Sequence, residues 1–152
     1  MVDLIRKNAE GNGFGDNIKN TTNSLSIVTS STQAAGVFAK ITLSSVDLAI
    51  TLPFAGTYLV YARCHFDATS VAGELKVKLR NFTDSTDVAG SFVNHHLDNT
   101  WGPVPIITSI PVTTTGDNKV IQMWFKNDGG LAAANAMSNS ESHSLIYYVR
   151  LY

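Results

Sequence analysis

Only one cysteine, Cys64, occurs among the 152 residues, so no disulfide can form within the chain. That agrees with folding in a reducing compartment. Charge is scarce too: 15% of residues are Asp, Glu, Lys or Arg, against roughly 25% in an ordinary globular protein. The 11 basic and 12 acidic residues are mixed along the chain for a net charge of −1. No basic stripe exists to follow a phosphate backbone, which excludes nucleic acid as the expected partner. No apolar run approaches the roughly 20 residues of a membrane helix. The first residues, Met1-Val2-Asp3-Leu4-Ile5-Arg6-Lys7, lack the apolar stretch of a signal peptide, so synthesis in a cytoplasm is expected.

Sustained helical periodicity with caps at both ends is also missing, as is any internal repeat. In their place stand Ser, Thr, Asn and Gly between short apolar runs. Thr suits pleated strands, while Asn, Ser and Gly supply turns. From Leu25 onward such runs recur between turn signals, the spacing of an antiparallel sandwich or barrel. The expected strands are Leu25–Thr29, Gly36–Leu43, Val46–Leu52, Gly56–Phe66, Gly73–Phe82, Val88–Leu97, Val104–Thr114, Lys119–Asn127 and Ser142–Tyr152. Pro53–Gly56, Thr83–Thr86, Thr115–Asn118 and Asn127–Gly130 read as turns. The alanine-rich stretch Leu131–Met137 fits either a short helix or an ordered loop. Two units follow: residues 1–23 as an extended arm rich in Gly, Asn and Asp, and residues 24–152 as one all-β domain.

Side-chain alternation separates two kinds of strand. Across Glu74–Arg80, Leu75, Val77 and Leu79 share one face while Glu74, Lys76, Lys78 and Arg80 share the other, as in a strand with water on one side. Gly56–Phe66, Lys119–Asn127 and Ser142–Tyr152 instead carry bulky apolar groups on both faces. In the first, Tyr58, Val60, Ala62, Cys64 and Phe66 are expected in the core, with Leu59, Tyr61 and Arg63 opposite. In the second, Ile121, Met123 and Phe125 face inward and Val120, Gln122 and Trp124 outward. In the third, Leu145, Tyr147, Val149 and Leu151 are assigned to the core and Ile146, Tyr148, Arg150 and Tyr152 to the outside. A sandwich strand has one core to face, so a second apolar face needs another cover, either a neighbouring subunit or loops of the same chain.

Leu52-Pro53-Phe54-Ala55-Gly56-Thr57-Tyr58-Leu59-Val60, Leu75–Asn81, Gly116-Asp117-Asn118-Lys119-Val120 and the terminal Ser144–Tyr152 together resemble the tumour necrosis factor and complement-type jelly roll, over roughly Leu25 to Tyr152. The resemblance implies two five-stranded sheets. One of them, containing the third, sixth and last strands, faces a threefold axis. Those strands are identified here with the three two-faced ones, which makes the ten outward residues named above the expected trimer interface. Bacteriophages use this domain in head decorations and fibre tips. The resemblance therefore implies a homotrimer on the virion surface, partnered by the major capsid protein or another virion protein. As a fibre tip it would meet a host surface glycan. Leu4, Ile5, Arg6, Lys7 and Phe14 are the candidate attachment residues of the arm, and Trp101 is the candidate ligand residue in a loop.

Catalytic chemistry has no visible seat. Gly11-Asn12-Gly13-Phe14-Gly15 lacks the preceding strand and following helix of a dinucleotide site. His95 and His96 are adjacent, so on a strand they point to opposite faces and cannot share one ion. His65 and His143 lie near the expected axis, where interface hydrogen bonding outweighs metal binding. Cys64 alternates onto the core face and reads as a small buried hydrophobe. No cofactor, no metal and no enzymatic activity are expected.

Overall fold

The computed structural model describes residues 36–43, 45–68, 73–97, 102–112, 118–128, 134–137 and 144–151. The arm, the expected strand Leu25–Thr29, Trp101, His143 and Tyr152 lie outside them. Among the described residues there are twelve strands and no helix: β1 (Ala39–Lys40), β2 (Thr42–Leu43), β3 (Val46–Asp47), β4 (Ala49–Leu52), β5 (Gly56–Ala68), β6 (Gly73–Asn81), β7 (Thr86–Asp87), β8 (Val93–Leu97), β9 (Gly102–Val112), β10 (Lys119–Asp128), β11 (Ala134–Met137) and β12 (Leu145–Arg150). Each expected strand within the described residues coincides with one or two of these.

Every strand pair is antiparallel, and the strands form two layers. In the first sheet β10 is flanked on one side by β4 and β1 in succession and on the other by β6, which in turn carries β8 and β7. In the second sheet β5 is central. β9 runs along one side of it, from Gly56↔Val112 to Phe66↔Gly102, and β12 and then β11 occupy the other. A short hairpin, β2–β3, turns through Ser45, whose φ of 65° lies in the left-handed region.

The core fills the space between the layers. Tyr58, Val60, Ala62, Cys64 and Phe66 of β5, with Val104, Ile106, Ile110 and Val112 of β9, meet Leu75, Val77 and Leu79 of β6 and Ile121, Met123 and Phe125 of β10, all buried. Phe66 and Phe125 join the layers, their rings 5.3 Å apart. Burying one such ring is worth about 1.5–3 kcal/mol. The period-2 pattern produces this directly, since alternate side chains of a strand must leave on the same face.

Three expectations are corrected. Residues Ala134–Met137 form neither helix nor loop: they extend the edge of β5, pairing with His65–Ala68 beyond the end of β12, with Ala136 buried. Alanine's helix preference is a fraction of a kcal/mol per residue and yields to ladder bonds on an open strand edge. Second, β10 does not belong to the sheet of β5 and β12; it pairs with β6 and β4 in the opposite layer. The strand that pairs with β5 is β9. Third, the face assignment of the last strand is inverted, as described below.

Candidate self-association face

Register fixes what the second sheet shows to the outside. β5 and β12 pair Tyr61↔Tyr147, Leu59↔Val149 and Arg63↔Leu145, and β5 and β9 pair Tyr61↔Ile107, Leu59↔Ser109 and Arg63↔Pro105. Since directly opposed residues share a face, three rows cross the outer surface: Tyr147–Tyr61–Ile107, Val149–Leu59–Ser109 and Leu145–Arg63–Pro105. The Tyr61 and Tyr147 rings lie 5.0 Å apart at a tilt of 33°. Ile107 is 63% and Leu59 40% exposed. Arg63 is the one charged side chain in these rows.

The other sheet presents a different outer face. Lys40 pairs with Asp47 at 2.9 Å, Lys78 with Asp87 at 2.6 Å, Arg80 with Asp87 at 3.3 Å and Lys119 with Asp84 at 2.8 Å, while Lys76 and Lys126 both reach Asp128. The Lys76–Asp128 hydrogen bond raises the lysine pKa, with burial opposing it and the Asp128 and Glu74 charges adding to it. Lys78 and Lys126 also lie over the Phe38 ring, at 4.1 and 5.4 Å from its centroid. Such a surface satisfies its charges in water and has little to gain from a partner.

The expected interface residues therefore divide. Leu59, Tyr61 and Arg63 share the apolar outer face. Val120, Gln122 and Trp124 do not join them, because β10 lies in the other layer. Trp124 donates from Nε1 to Gln122 Oε1 at 3.1 Å, Gln122 donates from Nε2 to Asp47 at 3.1 Å, and the Arg80 guanidinium stands 5.2 Å from the Trp124 ring. Ile146 and Tyr148 are buried in the core, and Tyr148 packs edge-on against Tyr58 with centroids 5.2 Å apart. Burial pushes the Tyr148 hydroxyl pKa up, Tyr58 adds to the shift and Arg150 opposes it. Arg150 sits at the end of the sandwich, donating from Nη2 to the Ala55 carbonyl at 2.6 Å, with its guanidinium 5.8 Å from the Phe54 ring.

Sequence reasoning missed Ile107, Leu145, Tyr147 and Val149. Within Val104–Thr114 the signal was present, as Val104, Ile106, Ile110 and Val112 alternate with Pro105, Ile107, Ser109 and Pro111. His65 is buried, and its backbone N–H donates to Ser144 Oγ at 3.0 Å.

No protein-family model matches the chain, and no curated protein matches its sequence. Solved structures do match. The T13 viral particle of infectious bursal disease virus superposes on 89% of this chain with a TM-score of 0.59 at 14% identity. Murine APRIL at pH 5.0 superposes on 88% with a TM-score of 0.54 at 11% identity. The fold is a jelly roll of the tumour necrosis factor type. This jelly roll accounts for 98% of the APRIL chain but only 32% of the viral one, so it spans about a third of that protein's length. The VP2 subviral particle of the same virus gives 0.51 at 15% identity, again over 32% of its chain. At these identities the likeness establishes the architecture.

Proposed function

We propose that this chain is a non-enzymatic structural protein of a bacteriophage particle, a homotrimer that decorates or cements the capsid surface. The observation that carries the proposal is the contrast between the two outer faces. One sheet turns paired charges to water, while the other turns out Leu59, Tyr61, Ile107, Leu145, Tyr147 and Val149 around a single arginine. A face of that kind on a protein surface marks an interaction site. The tumour necrosis factor type of jelly roll is associated with a threefold axis at this sheet, which makes two further copies the natural cover. Occurrence of the same fold in a viral particle supports a place in a virion.

In this reading residues 1–23 tie the trimer to the major capsid protein or another virion protein, with Leu4, Ile5 and Phe14 as apolar anchors and Arg6 and Lys7 as polar contacts. An arm that orders on its partner gives up conformational entropy in exchange for extended contact. Light scattering at micromolar concentration tests the assembly: a trimer is expected, and a stable monomer would overturn the proposal. Deleting residues 1–20 tests the attachment. The expected product is a trimer that no longer binds particles; unchanged particle binding would refute the role of the arm.

A further inference from the structure

The side edges of a sandwich are where a further strand can add. Among the described residues β9 is the longest strand with an unpaired side: it spans 11 residues and pairs with β5 alone, while the next longest, β12, has 6. From Val104 to Val112 it reads Val-Pro-Ile-Ile-Thr-Ser-Ile-Pro-Val, rich in β-branched residues and without a charge. A long uncharged edge of such residues templates pairing with a second chain. No lysine or other charged side chain blunts this one.

Hydrogen-bond parity decides which backbone groups of β9 face outward. The Leu151 N–H donates to the Thr57 carbonyl at 2.8 Å, so Thr57, and with it Leu59, Tyr61 and Arg63, bonds toward β12. Residues of an antiparallel strand alternate in the side to which they bond, and the even-numbered residues of β5 therefore bond toward β9. Register pairs even with even: Tyr58↔Ile110 and Ala62↔Ile106 are mutually bonded pairs, whereas Thr57↔Pro111, Arg63↔Pro105 and His65↔Pro103 are not. Pro103, Pro105, Ile107, Ser109 and Pro111 thus aim their backbone groups away from β5, and all of them are exposed. Proline has no N–H. Only Ile107 and Ser109 keep an outward donor.

Proline is tolerated at such positions because no ladder bond is lost there. Tolerance alone does not account for its concentration, since the chain has 4 prolines and all but Pro53 stand on this edge. A strand adding here would need donors at alternate residues of β9. It would meet them at Ile107 and Ser109 alone, with pyrrolidine rings at Pro105 and Pro111 on either side. We infer that Pro103, Pro105 and Pro111 guard the β9 edge: they bar another copy of this chain from extending the second sheet there. On this flank copies then meet through the side chains of the apolar face and not through backbone pairing. That last consequence rests on the self-association reading above; the guard does not.

The variant Pro103→Thr/Pro105→Thr/Pro111→Thr restores the outward donors without adding apolar surface. Light scattering is expected to show its mass rising at least tenfold above the parent's as concentration increases. In the enlarged species the Ile107 and Ser109 amides should exchange at least tenfold more slowly than in the parent, with the Leu79 and Phe125 amides as protected as before. An unchanged mass would overturn the guard, and so would growth without slower exchange at Ile107 and Ser109. Because a variant that loses its fold would also clump and would expose the Leu79 and Phe125 amides, the parent is tested alone as well. It is mixed with an excess of an acetylated and amidated Thr-Val repeat peptide, an uncharged strand former. Its Ile107 and Ser109 amides are expected to exchange as they do without the peptide; tenfold slowing of either would mean that the edge accepts a strand despite its prolines, and would overturn the guard. The parent's own mass, read in the same experiment, decides the self-association reading separately.

Discussion

Ile107→Glu separates assembly from folding. Ile107 has 63% of its surface exposed in the single subunit and lies beside Tyr61 in the central row of the apolar face. Full burial of an isoleucine is worth about 1.5–3 kcal/mol, so covering the remaining surface contributes about 1–2 kcal/mol per subunit and about 3–6 kcal/mol per trimer. Glutamate removes that gain and adds a carboxylate that assembly would have to desolvate, at several kcal/mol per ion. With about 1.4 kcal/mol for each factor of ten, the variant should be monomeric at concentrations where the parent is a trimer. Its monomer should stay folded, since substitution of an exposed side chain changes stability by about 0.5 kcal/mol or less. Light scattering reads the mass and thermal unfolding reads the fold. Thr51→Glu, on the exposed outer face of the first sheet beside Val120, is the matched control and should leave the trimer intact. A trimeric Ile107→Glu that dissociates no more readily than the parent would refute the interface, and so would a Thr51→Glu monomer beside it.

Three further outcomes follow from single sites. Buried Ser91 accepts from the Leu79 N–H at 3.0 Å and donates to the Val88 carbonyl at 2.7 Å, so Ser91→Ala strands a buried donor and should cost about 1–3 kcal/mol in denaturant unfolding; a loss within error would mean that water replaces the hydroxyl. Ser85 holds φ at 55° in the β6–β7 turn, where a β-carbon is strained, so Ser85→Gly should raise stability by about 0.5–1 kcal/mol, and a fall in melting temperature would contradict this. Burial, then Tyr58, raise the Tyr148 pKa against the opposing Arg150. The unfolded tyrosine ionises near pH 10 while the folded one keeps its proton, so this contribution is intact below about pH 10 and is lost as pH climbs toward the folded pKa. Tyr148→Phe should flatten the alkaline fall in melting temperature, and an unchanged slope would exclude Tyr148 as its source.

Alternation read the strands and much of the core because it depends only on backbone geometry. Tyr58 through Phe66, Leu75 through Leu79 and Ile121 through Phe125 all point where their parity says. Alternation carries no information about which strands become neighbours. Trp124 and Tyr61 have the same signature, a large aromatic opposite a core residue, yet lie on opposite outer faces of the sandwich. What tells them apart lies outside β10: Arg80, brought alongside by pairing with β6, stands over the indole, and Asp47 reaches Gln122 from β3. A tryptophan so attended can face water.

The inverted face of β12 has a different origin. Ile146 and Tyr148 share their parity with Arg150, and a charge in the set argues for the outside. The type of a residue counts for less, however, close to the end of a strand. Arg150 closes β12, where the layers open to water and the Ala55 carbonyl is within reach of its guanidinium, so it can share a parity with core residues without entering the core. With Arg150 discounted, the two faces of β12 are equally apolar, and its own sequence does not choose between them. The choice belongs to β5: odd pairs with odd, Tyr147 comes to lie beside Tyr61, and Tyr148 turns inward onto Tyr58. A strand with two apolar faces takes its orientation from its neighbour, and the face left over stays on the outside of the sheet.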